Sequence, residues 1–316
     1  MKVLTIGTGV IGTVYSWVLA KQGCELTHYV RSGKSAKINA DIKIDMLDRR
    51  KGYKKRYLSD YHYNLTENLT SDNDYDYIII AVRVCQLEAL LGDLKGRIGN
   101  ACAVIFTGNW HGSDWIEKYL PKGSFVFSDG IAGGSFHEGT LVAALDDNIP
   151  LGEVDGSRSP RLLALGEQFT QAGIKPIYYK HILHWHWLQY ALNAAMWGAL
   201  VRKGSIEAAA NDKHLVDLVL KATTESIQVC VLRGVNLDEF PEVKIYSKLG
   251  GLKTQIMRIG FKWSIKHSEY HRRCSLHGLD DPNEIKLFYN EVLATGIELG
   301  LSMSAYREFK KDIDAL

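Results

Sequence analysis

The sequence predicts an α/β protein in which a doubly wound, mostly parallel sheet precedes an all-helical second domain. A glycine-rich turn follows the first apolar run, and short apolar segments then alternate with segments of helical spacing. Beyond about residue 178, long helical segments follow with little strand character. Because 316 residues can build two cores, we assign 1–178 to the first domain and 179–316 to the second.

The composition is that of an ordinary globular protein. Hydrophobic residues make up 46%, charged residues 23%, and the formal net charge is +2, which argues against a disordered or strongly basic chain. The start of the chain does not resemble a cleavable signal, and no apolar stretch is long enough to span a membrane, so we expect a cytoplasmic protein. The five scattered cysteines lack CxxC spacing and suggest neither a disulfide framework nor a metal site.

The turn after the first predicted strand reads "GTGVIG" and leads into the helix-like segment "TVYSWVLAKQG". In a Rossmann-type domain Gly7 would permit the tight turn, Gly9 would let a pyrophosphate approach the backbone, and Gly12 would let helix and strand pack closely. Val10 and Ile11 would open the helix whose N terminus faces the phosphates. The strand, turn and helix together predict a dinucleotide site.

The second predicted strand, "ELTHYV", ends close to Arg31, which lies 19 residues after Gly12. An acidic residue there would bind a ribose 2′-hydroxyl, whereas an arginine pairs with a 2′-phosphate. Arg31, with help from Ser32 and Lys34, therefore favours NADP(H) over NAD(H). The alternative is a surface arginine beside an unrelated cofactor or none.

The remaining elements follow from the same patterns. Strands are predicted at 75–82, 101–108 and 123–130, then at "GTLVAAL" and "NIPLGEVDG" as antiparallel additions, and at "KPIYY" after a helix. Helices of the second domain are predicted at 182–202, 204–234, 251–268 and 283–299. The basic run at 49–57 could bind nucleic acid, but one such run in a nearly neutral chain favours a solvated hairpin and no nucleic-acid partner.

Two further motifs follow the glycine turn, "AVRVCQ" at 81–86 and "GNWHG" at 108–112. With them the chain resembles the ketopantoate reductase (2-dehydropantoate 2-reductase) family over nearly its full length. The resemblance implies an NADPH-binding Rossmann domain, a helical substrate and dimerisation domain, and reduction of a 2-keto acid in a cleft between the two. It also implies a role in pantothenate biosynthesis and a homodimer as one arrangement of the chain. No membrane partner is expected, because no apolar stretch is long enough to span a bilayer.

The resemblance assigns cofactor residues in the first domain. The family has a basic residue and a glutamine after its fourth strand, where this chain has Arg83 and Gln86. Asn109 and Gly112 match its Asn-Gly-x-Gly turn, with Trp110 in place of the first glycine. Asn109 would then bind the cofactor near the nicotinamide ribose. The alternative is that Asn109 only forms a turn with a left-handed backbone.

The first helix of the second domain departs from the family pattern. In "WLQYALNAAMWGAL", alignment on Trp187 and Asn193 puts the catalytic lysine of the family on Gln189, and its second asparagine on Trp197. Ketone reduction needs a proton for the emerging alkoxide, which an ammonium group supplies and an amide does not. The proton must therefore come from elsewhere, or the reaction differs.

His186 is one candidate for the missing acid. His186, Gln189, Asn193 and Trp197 share one face of a helix, and an imidazole titrates near neutral pH. The alternative is that "HILHWHW" forms an aromatic packing surface whose histidines make ordinary hydrogen bonds.

The last long helix supplies two more candidates by resemblance. Glu284 takes the place of the glutamate that contacts the substrate hydroxyl, and Ser275, in "CSLHGLDD", that of a serine that binds the substrate carboxylate. Asn193 would be the third substrate ligand. The alternative for Glu284 is a favourable charge in the first turn of a helix that follows Asp281 and Pro282.

Together these residues predict an NADPH-dependent oxidoreductase that reduces a 2-keto acid or a related carbonyl. The three tryptophans of the same helix, Trp185, Trp187 and Trp197, also allow a bulkier or aromatic substrate. A non-catalytic NADP(H)-binding regulatory protein is the alternative, because the family lysine is missing.

Overall fold

Strands and helices alternate from the N terminus in the computed structural model, which describes residues 1–52, 55–276 and 279–316. The strands are β1 (Lys2–Ile6), β2 (Glu25–Tyr29), β3 (Asp41–Asp48), β4 (Arg56–His62), β5 (Asn64–Thr66), β6 (Tyr77–Ile80), β7 (Cys102–Ile105), β8 (Phe125–Ser128), β9 (Ala132–His137), β10 (Thr140–Leu145), β11 (Asn148–Gly152) and β12 (Lys175–Tyr178). The helices between them are α1 (Val10–Ala20), α2 (Val84–Leu94), α3 (Asp114–Glu117) and α4 (Pro160–Gln171), with 3-10 turns at Ser35–Lys37 and Arg49–Lys51.

The chain divides into two units, Met1–Leu183 and His184–Leu316, which we call the N-terminal unit and the helical unit. In the N-terminal unit the main sheet has the order β12-β11-β8-β7-β6-β1-β2-β5. From β5 to β8 all neighbours are parallel, β11 is antiparallel to β8, and β12 is parallel to β11. The predicted Rossmann-type sheet is therefore confirmed.

The order of the strands creates a switch point between β1 and β6. From β1 the chain proceeds through α1 to β2 on one side, whereas from β6 it proceeds through α2 to β7 on the other. Loops that leave the carboxyl ends of two such strands diverge and open a crevice, which is where open α/β sheets bind ligands. The glycine turn lies at this point, because it directly follows β1.

The centre of the sheet is buried on both faces. All residues of β6, β7 and β8 are buried, as expected for central parallel strands whose sequences are almost continuous apolar runs. Tyr15 and Trp17 of α1 are 0% and 2% exposed, and Tyr15 packs on Phe106 and Phe169. This core fixes α1, and with it the glycine turn, against the sheet.

A second sheet of the order β4-β3-β10-β9 also belongs to the N-terminal unit. The predicted strand "GTLVAAL" is β10, which is antiparallel to β9 but parallel to β3. The basic run at 49–57 connects the antiparallel strands β3 and β4, as a hairpin does, although Tyr53 and Lys54 lie outside the described residues. Three of its guanidinium groups pair with carboxylates of the same unit, in the pairs Arg49–Asp146, Arg50–Asp48 and Arg56–Asp45.

The helical unit contains α5 (Ile182–Lys203), α6 (Ile206–Asn211), α7 (Lys213–Leu232), α8 (Pro241–Lys244), α9 (Gly251–His267), α10 (Glu269–Cys274), α11 (Pro282–Glu298), α12 (Ser304–Arg307) and α13 (Lys310–Asp314), with a 3-10 turn at Leu237–Glu239. The helix predicted at 204–234 is two helices, because the Asp212 carboxylate accepts a hydrogen bond from the Leu215 N–H and starts α7. The other three predicted helices are α5, α9 and α11. In the described part of the chain, no helix combines the length and the apolar character that crossing a bilayer requires.

Candidate functional site

The glycine turn meets the end of β6 at the switch point. Gly7 has φ +116°, and a Cβ there would lie 2.2 Å from the Ala81 carbonyl oxygen. A Cβ on Gly12 would lie 2.0 Å from the Gly7 carbonyl oxygen. A Cβ on Gly9, in contrast, would have no atom within 4 Å. Two of the glycines are therefore required by packing, and the third faces open space.

The N terminus of α1 opens toward that space. Gly9 is its N-cap and has no side chain to accept a hydrogen bond, and its first turn contains no acidic residue. Val10 and Ile11, the first residues of α1, are half-buried against the core of the sheet. The first N–H groups of α1 and the positive end of its dipole fit a pyrophosphate, which is the group that the fingerprint predicts here.

The loop after β2 contains the predicted 2′-phosphate residues. Arg31, Ser32 and Lys34 are exposed, and the Lys34 N–H donates to the Arg31 carbonyl across a turn (3.1 Å) in which Gly33 has φ +71°. For Arg31 and Lys34, the described residues offer no side-chain hydrogen bond or ion pair. Both cations therefore point to solvent at the carboxyl end of β2.

Glu67 holds this loop and was missed by the sequence analysis. Its carboxylate accepts hydrogen bonds from the N–H groups of Gly33 (2.8 Å) and Ser35 (2.7 Å). Hydrogen bonds from Ser35 and then from Gly33 lower the pKa of Glu67 to about 2. The only local signal is its position directly after the short strand β5.

Arg83 and Asn109 follow β6 and β7, so both lie at the edge of the sheet that carries the glycine turn. Arg83 is the exposed N-cap of α2. Asn109 is 1% exposed; its Nδ2 donates to the Gly112 carbonyl (3.1 Å), and its Oδ1 accepts from the Trp115 indole (3.3 Å). Asn109 therefore shapes the turn with its side chain, and its φ is not positive.

Asp129, which follows β8, is a second residue that the sequence analysis missed at this edge. The side chain is half-buried, and burial raises its pKa to about 7. The next residue packs closely on the glycine helix, because a Cβ on Gly130 would lie 2.5 Å from Ile11 Cγ2. Asp129 is thus a carboxyl group that titrates near neutral pH beside α1.

Two cavities of the N-terminal unit lie near opposite ends of the strands of the main sheet. One of about 210 Å³ opens beside the glycine turn and is lined by Thr8, Ile38, Asn39, Ile42, Tyr63, Phe136 and Gly139. A larger one of about 1000 Å³ is lined by residues at the amino ends of β1, β6 and β7, among them Met1, Tyr77 and Cys102. Because α/β sheets bind ligands at the carboxyl ends of their strands, the smaller cavity is the one that adjoins the candidate site.

In the helical unit, one face of α5 packs on α11. The Tyr190 ring stacks on the Phe288 ring with centroids 3.5 Å apart, and the Trp197 ring meets Phe288 at 4.7 Å. The Tyr190 hydroxyl donates to the Glu291 carboxylate. Burial, then the charges of Glu291 and Glu284, raise the pKa of Tyr190, so Glu284 lies close to α5.

The predicted catalytic residues share this face but differ in exposure. His186 is 1% exposed, with its ring 5.7 Å from the Trp185 ring, while Gln189 is half-buried and Asn193 exposed. His186 therefore lies in a buried aromatic surface, and its role as an acid stays a prediction. Gln189 and Asn193 are the more exposed residues of this set.

The two predicted substrate ligands near the C terminus have different surroundings. Asp281 is the N-cap of α11, and its carboxylate accepts from the N–H groups of Asn283 (3.0 Å) and Glu284 (3.3 Å). Asp281 therefore caps α11, and Glu284 lies in the first turn, where its negative charge is favourable. Ser275 ends α10, and its hydroxyl donates to the Arg272 carbonyl (2.9 Å). His277, in the same loop, lies outside the described residues.

Arg233 is a half-buried cation of the helical unit that the sequence analysis missed. It follows α7, and its guanidinium lies 3.8 Å from the centroid of the Trp187 ring. Burial lowers its pKa, against the opposing effects of Cys230 and Glu291. A cation over a tryptophan ring is a favourable pairing, so Arg233 fixes the side of α5 that carries Trp187.

Comparisons with known proteins agree with this architecture. The chain aligns with D-mandelate dehydrogenase in its ternary structure with NADH and anilino(oxo)acetate at a TM-score of 0.73 and 16% identity, over 100% of this chain and 97% of that one. It aligns with 2-dehydropantoate 2-reductase from Geobacter metallireducens GS-15 at a TM-score of 0.74 and 13% identity, over 100% of this chain and 99% of that one. It aligns with dimeric ketopantoate reductase from Staphylococcus aureus at a TM-score of 0.67 and 13% identity, over 100% of both chains. These identities show a shared fold.

A search of curated proteins finds no match. The family model described as ketopantoate reductase PanE/ApbA matches residues 3–155, which contain the glycine turn, Arg31, Arg83 and Asn109. This match shows that residues 3–155 form a domain of the ketopantoate reductase PanE/ApbA type.

Proposed function

We propose that the protein is an NADPH-dependent oxidoreductase of the cytoplasm that reduces a 2-keto acid or a related carbonyl to the alcohol. The observation that carries this proposal is the glycine turn at the switch point. Gly7 and Gly12 leave no room for a Cβ, whereas Gly9 faces open space at a helix N terminus. That combination fits a dinucleotide pyrophosphate.

The cofactor residues lie at one edge of the N-terminal unit. The N–H groups around Gly9, Val10, Ile11 and Gly12 would bind the pyrophosphate, and the exposed cations Arg31 and Lys34 would bind a 2′-phosphate. Arg83 and Asn109 lie at the ends of β6 and β7, on the side of the switch point away from Arg31. When bound, the nicotinamide supplies the hydride that the reaction needs.

The substrate residues belong to the helical unit. Asn193 and Glu284 would hydrogen-bond the substrate, and Ser275 would bind its carboxylate, as the family resemblance implies. Gln189 can donate a hydrogen bond to the developing alkoxide but cannot protonate it. We assign the proton to His186 rather than to Tyr190, because Tyr190 has a raised pKa and already donates to Glu291.

Aromatic side chains favour a substrate larger than ketopantoate. Trp197 and Phe288 form an aromatic surface on the side of α5 that carries Asn193. The structure of the D-mandelate dehydrogenase relative contains NADH and anilino(oxo)acetate, an oxo acid that carries an anilino group. If ketopantoate is the substrate, the protein acts in pantothenate biosynthesis; an aromatic 2-keto acid would place it elsewhere.

An exposed apolar row on α9 supports a homodimer. Leu252, Ile256, Ile259 and Trp263 follow one another at helical spacing and are 61–71% exposed. A row of this kind is typical of a protein–protein contact. The relative from Staphylococcus aureus is dimeric, and we propose that a second copy of this chain covers α9.

The test is to follow NADPH oxidation at the nicotinamide band with ketopantoate and then with a panel of aliphatic and aromatic 2-keto acids. Oxidation of NADPH in the presence of at least one 2-keto acid supports a reductase. Loss of this activity in His186→Ala supports His186 as the proton donor. Gln189 in the place of the family lysine favours the second candidate, a non-catalytic NADP(H)-binding regulator. Tight binding of NADPH without reduction of any of the 2-keto acids would favour the regulator.

A further inference from the structure

Glu67 lies beside the end of β2 although it belongs to another strand segment. It directly follows β5, and the Val30 N–H donates to the Thr66 carbonyl (2.9 Å), so the ends of β2 and β5 leave the sheet side by side. This pairing puts the Glu67 carboxylate next to the loop that carries Arg31 and Lys34.

The loop wraps its N–H groups around this carboxylate. Gly33 and Ser35 donate to separate oxygens, Oε2 at 2.8 Å and Oε1 at 2.7 Å. Gly33, with φ +71°, supplies the left-handed residue that such a turn requires. Successive N–H groups that converge on one point form an anion-binding concavity, and here a side chain of the chain itself occupies it.

Glu67 is a charged group under all ordinary conditions, because its hydrogen bonds keep its pKa at about 2. The loop therefore contains two exposed cations, Arg31 and Lys34, and one fixed anion. A 2′-phosphate bound by those cations would lie near a negative charge and would find the N–H groups of Gly33 and Ser35 already used.

We propose that Glu67 is a specificity-determining residue that narrows the preference for NADP(H) over NAD(H). It does so by occupying the backbone donors of the loop and by repelling the 2′-phosphate that Arg31 and Lys34 attract. The proposal rests on the cofactor site assigned under the proposed function. NAD(H), which has no 2′-phosphate, does not experience this repulsion, so removal of the charge affects the two cofactors differently.

The expected size of the change in affinity follows from the exposure of the loop to solvent. A unit charge several ångströms from a phosphate, in solvent and at physiological salt, changes affinity by about three- to tenfold. The effect shrinks as salt is added, because both groups are exposed to the screening ions.

The experiment measures the dissociation constants of NADPH and NADH for the wild type and for Glu67→Gln, which removes the charge and keeps one oxygen acceptor. Adenosine 2′,5′-bisphosphate and AMP serve as probes of this locus alone. We expect Glu67→Gln to bind NADPH and the bisphosphate about three- to tenfold more tightly, with NADH and AMP unchanged. Glu67→Asp, which keeps the charge, should retain the wild-type ratio.

Asp93→Asn is the matched control. It removes the same charge from an exposed residue near the C-terminal end of α2, which leads back to the amino ends of the strands, so neither affinity should change. If Glu67→Gln binds NADPH and NADH more weakly by the same factor, Glu67 only holds the loop in place, and the proposal is overturned. An unchanged ratio would overturn it as well. If the wild type binds none of the four probes, the proposed function itself fails.

Discussion

The Gly7 carbonyl oxygen lies where a Cβ of Gly12 would be, 2.0 Å from the ideal position of that carbon. The first turn of α1 therefore rests directly on the backbone that leaves β1. The contact joins two functions of one motif: it packs the helix on the sheet, and it aims the N terminus of the helix at the switch point. Gly9, between the two, has open space instead.

This contrast predicts opposite results for two alanine variants. Gly12→Ala should lower the free energy of unfolding by about 1–3 kcal/mol, because backbone atoms must move to admit the Cβ. Gly9→Ala should unfold like the wild type but bind NADPH more weakly, since its methyl group enters the space assigned to the pyrophosphate. Thermal unfolding and cofactor titration of both variants check this. Equal NADPH affinity in Gly9→Ala and the wild type would contradict the assignment.

Arg31 should decide how well a 2′-phosphate is bound. Loss of a charge-assisted hydrogen bond costs about 1.5–3 kcal/mol, so Arg31→Ala should weaken NADPH binding by about 10- to 100-fold and leave NADH binding unchanged. Lys37→Ala removes a cation from the neighbouring 3-10 turn and is the control. If both cofactors lose affinity equally, Arg31 acts on a group that they share, and the NADP(H) assignment is wrong.

The sequence predicts the parts of the site that local patterns encode. The apolar runs of β6, β7 and β8 and the spacing of the glycines indicate the sheet, the turn and the helix after it. The strand β3 contains no apolar run, but "DIKIDMLD" alternates charged with apolar residues, which is the pattern of a strand with one buried face and was a signal that the sequence offered. Its buried carboxylates, Asp45 and Asp48, are 6% and 1% exposed, and each pairs with an arginine from the connection to β4 or from β4 itself.

Contacts between distant segments could not be predicted. Glu67 is 34 positions from Gly33 and 32 from Ser35, and its position directly after β5 does not by itself show that it holds their loop. Tyr190 and Glu291 are separated by 101 positions. The resemblance to the family implies a role for Glu284, but only the packing of α11 on α5 brings it close to Tyr190. Such relations depend on tertiary packing rather than on periodicity.

Gln189→Lys should raise turnover if the chain has kept the rest of the family's site. The lysine would put an ammonium group at the half-buried position to which the family resemblance assigns the catalytic lysine. General acid catalysis contributes about 10²- to 10⁴-fold, so we expect kcat to rise by about tenfold or more with little change in NADPH affinity. Initial rates with the best 2-keto acid measure this, with His184→Ala on another face of α5 as a control. A lower kcat would mean that Gln189 itself contributes to the reaction.

Asp129 should make the stability of the N-terminal unit depend on pH with an unusual sign. Burial raises its pKa from 3.8 to about 7, so the folded protein holds a proton that the unfolded chain has released. The free energy of unfolding therefore falls as the pH rises between these two values, and the loss is complete above the higher one. Asparagine cannot ionise and can still accept the hydrogen bond from the Gly130 N–H.

Asp129→Asn should accordingly match the wild type in acid and exceed its stability by about 1–2 kcal/mol above neutral pH, allowing for the partial exposure of the side chain. Asp155→Asn is a control of opposite sign. Hydrogen bonds from Ser157 lower the pKa of Asp155, so its carboxylate stabilises the fold above its pKa and the variant should be the less stable one at neutral pH. Denaturant unfolding across the pH range measures both. If the free energies of unfolding of the wild type and Asp129→Asn depend on pH in the same way, Asp129 is solvated and ionised at neutral pH, and folding does not raise its pKa.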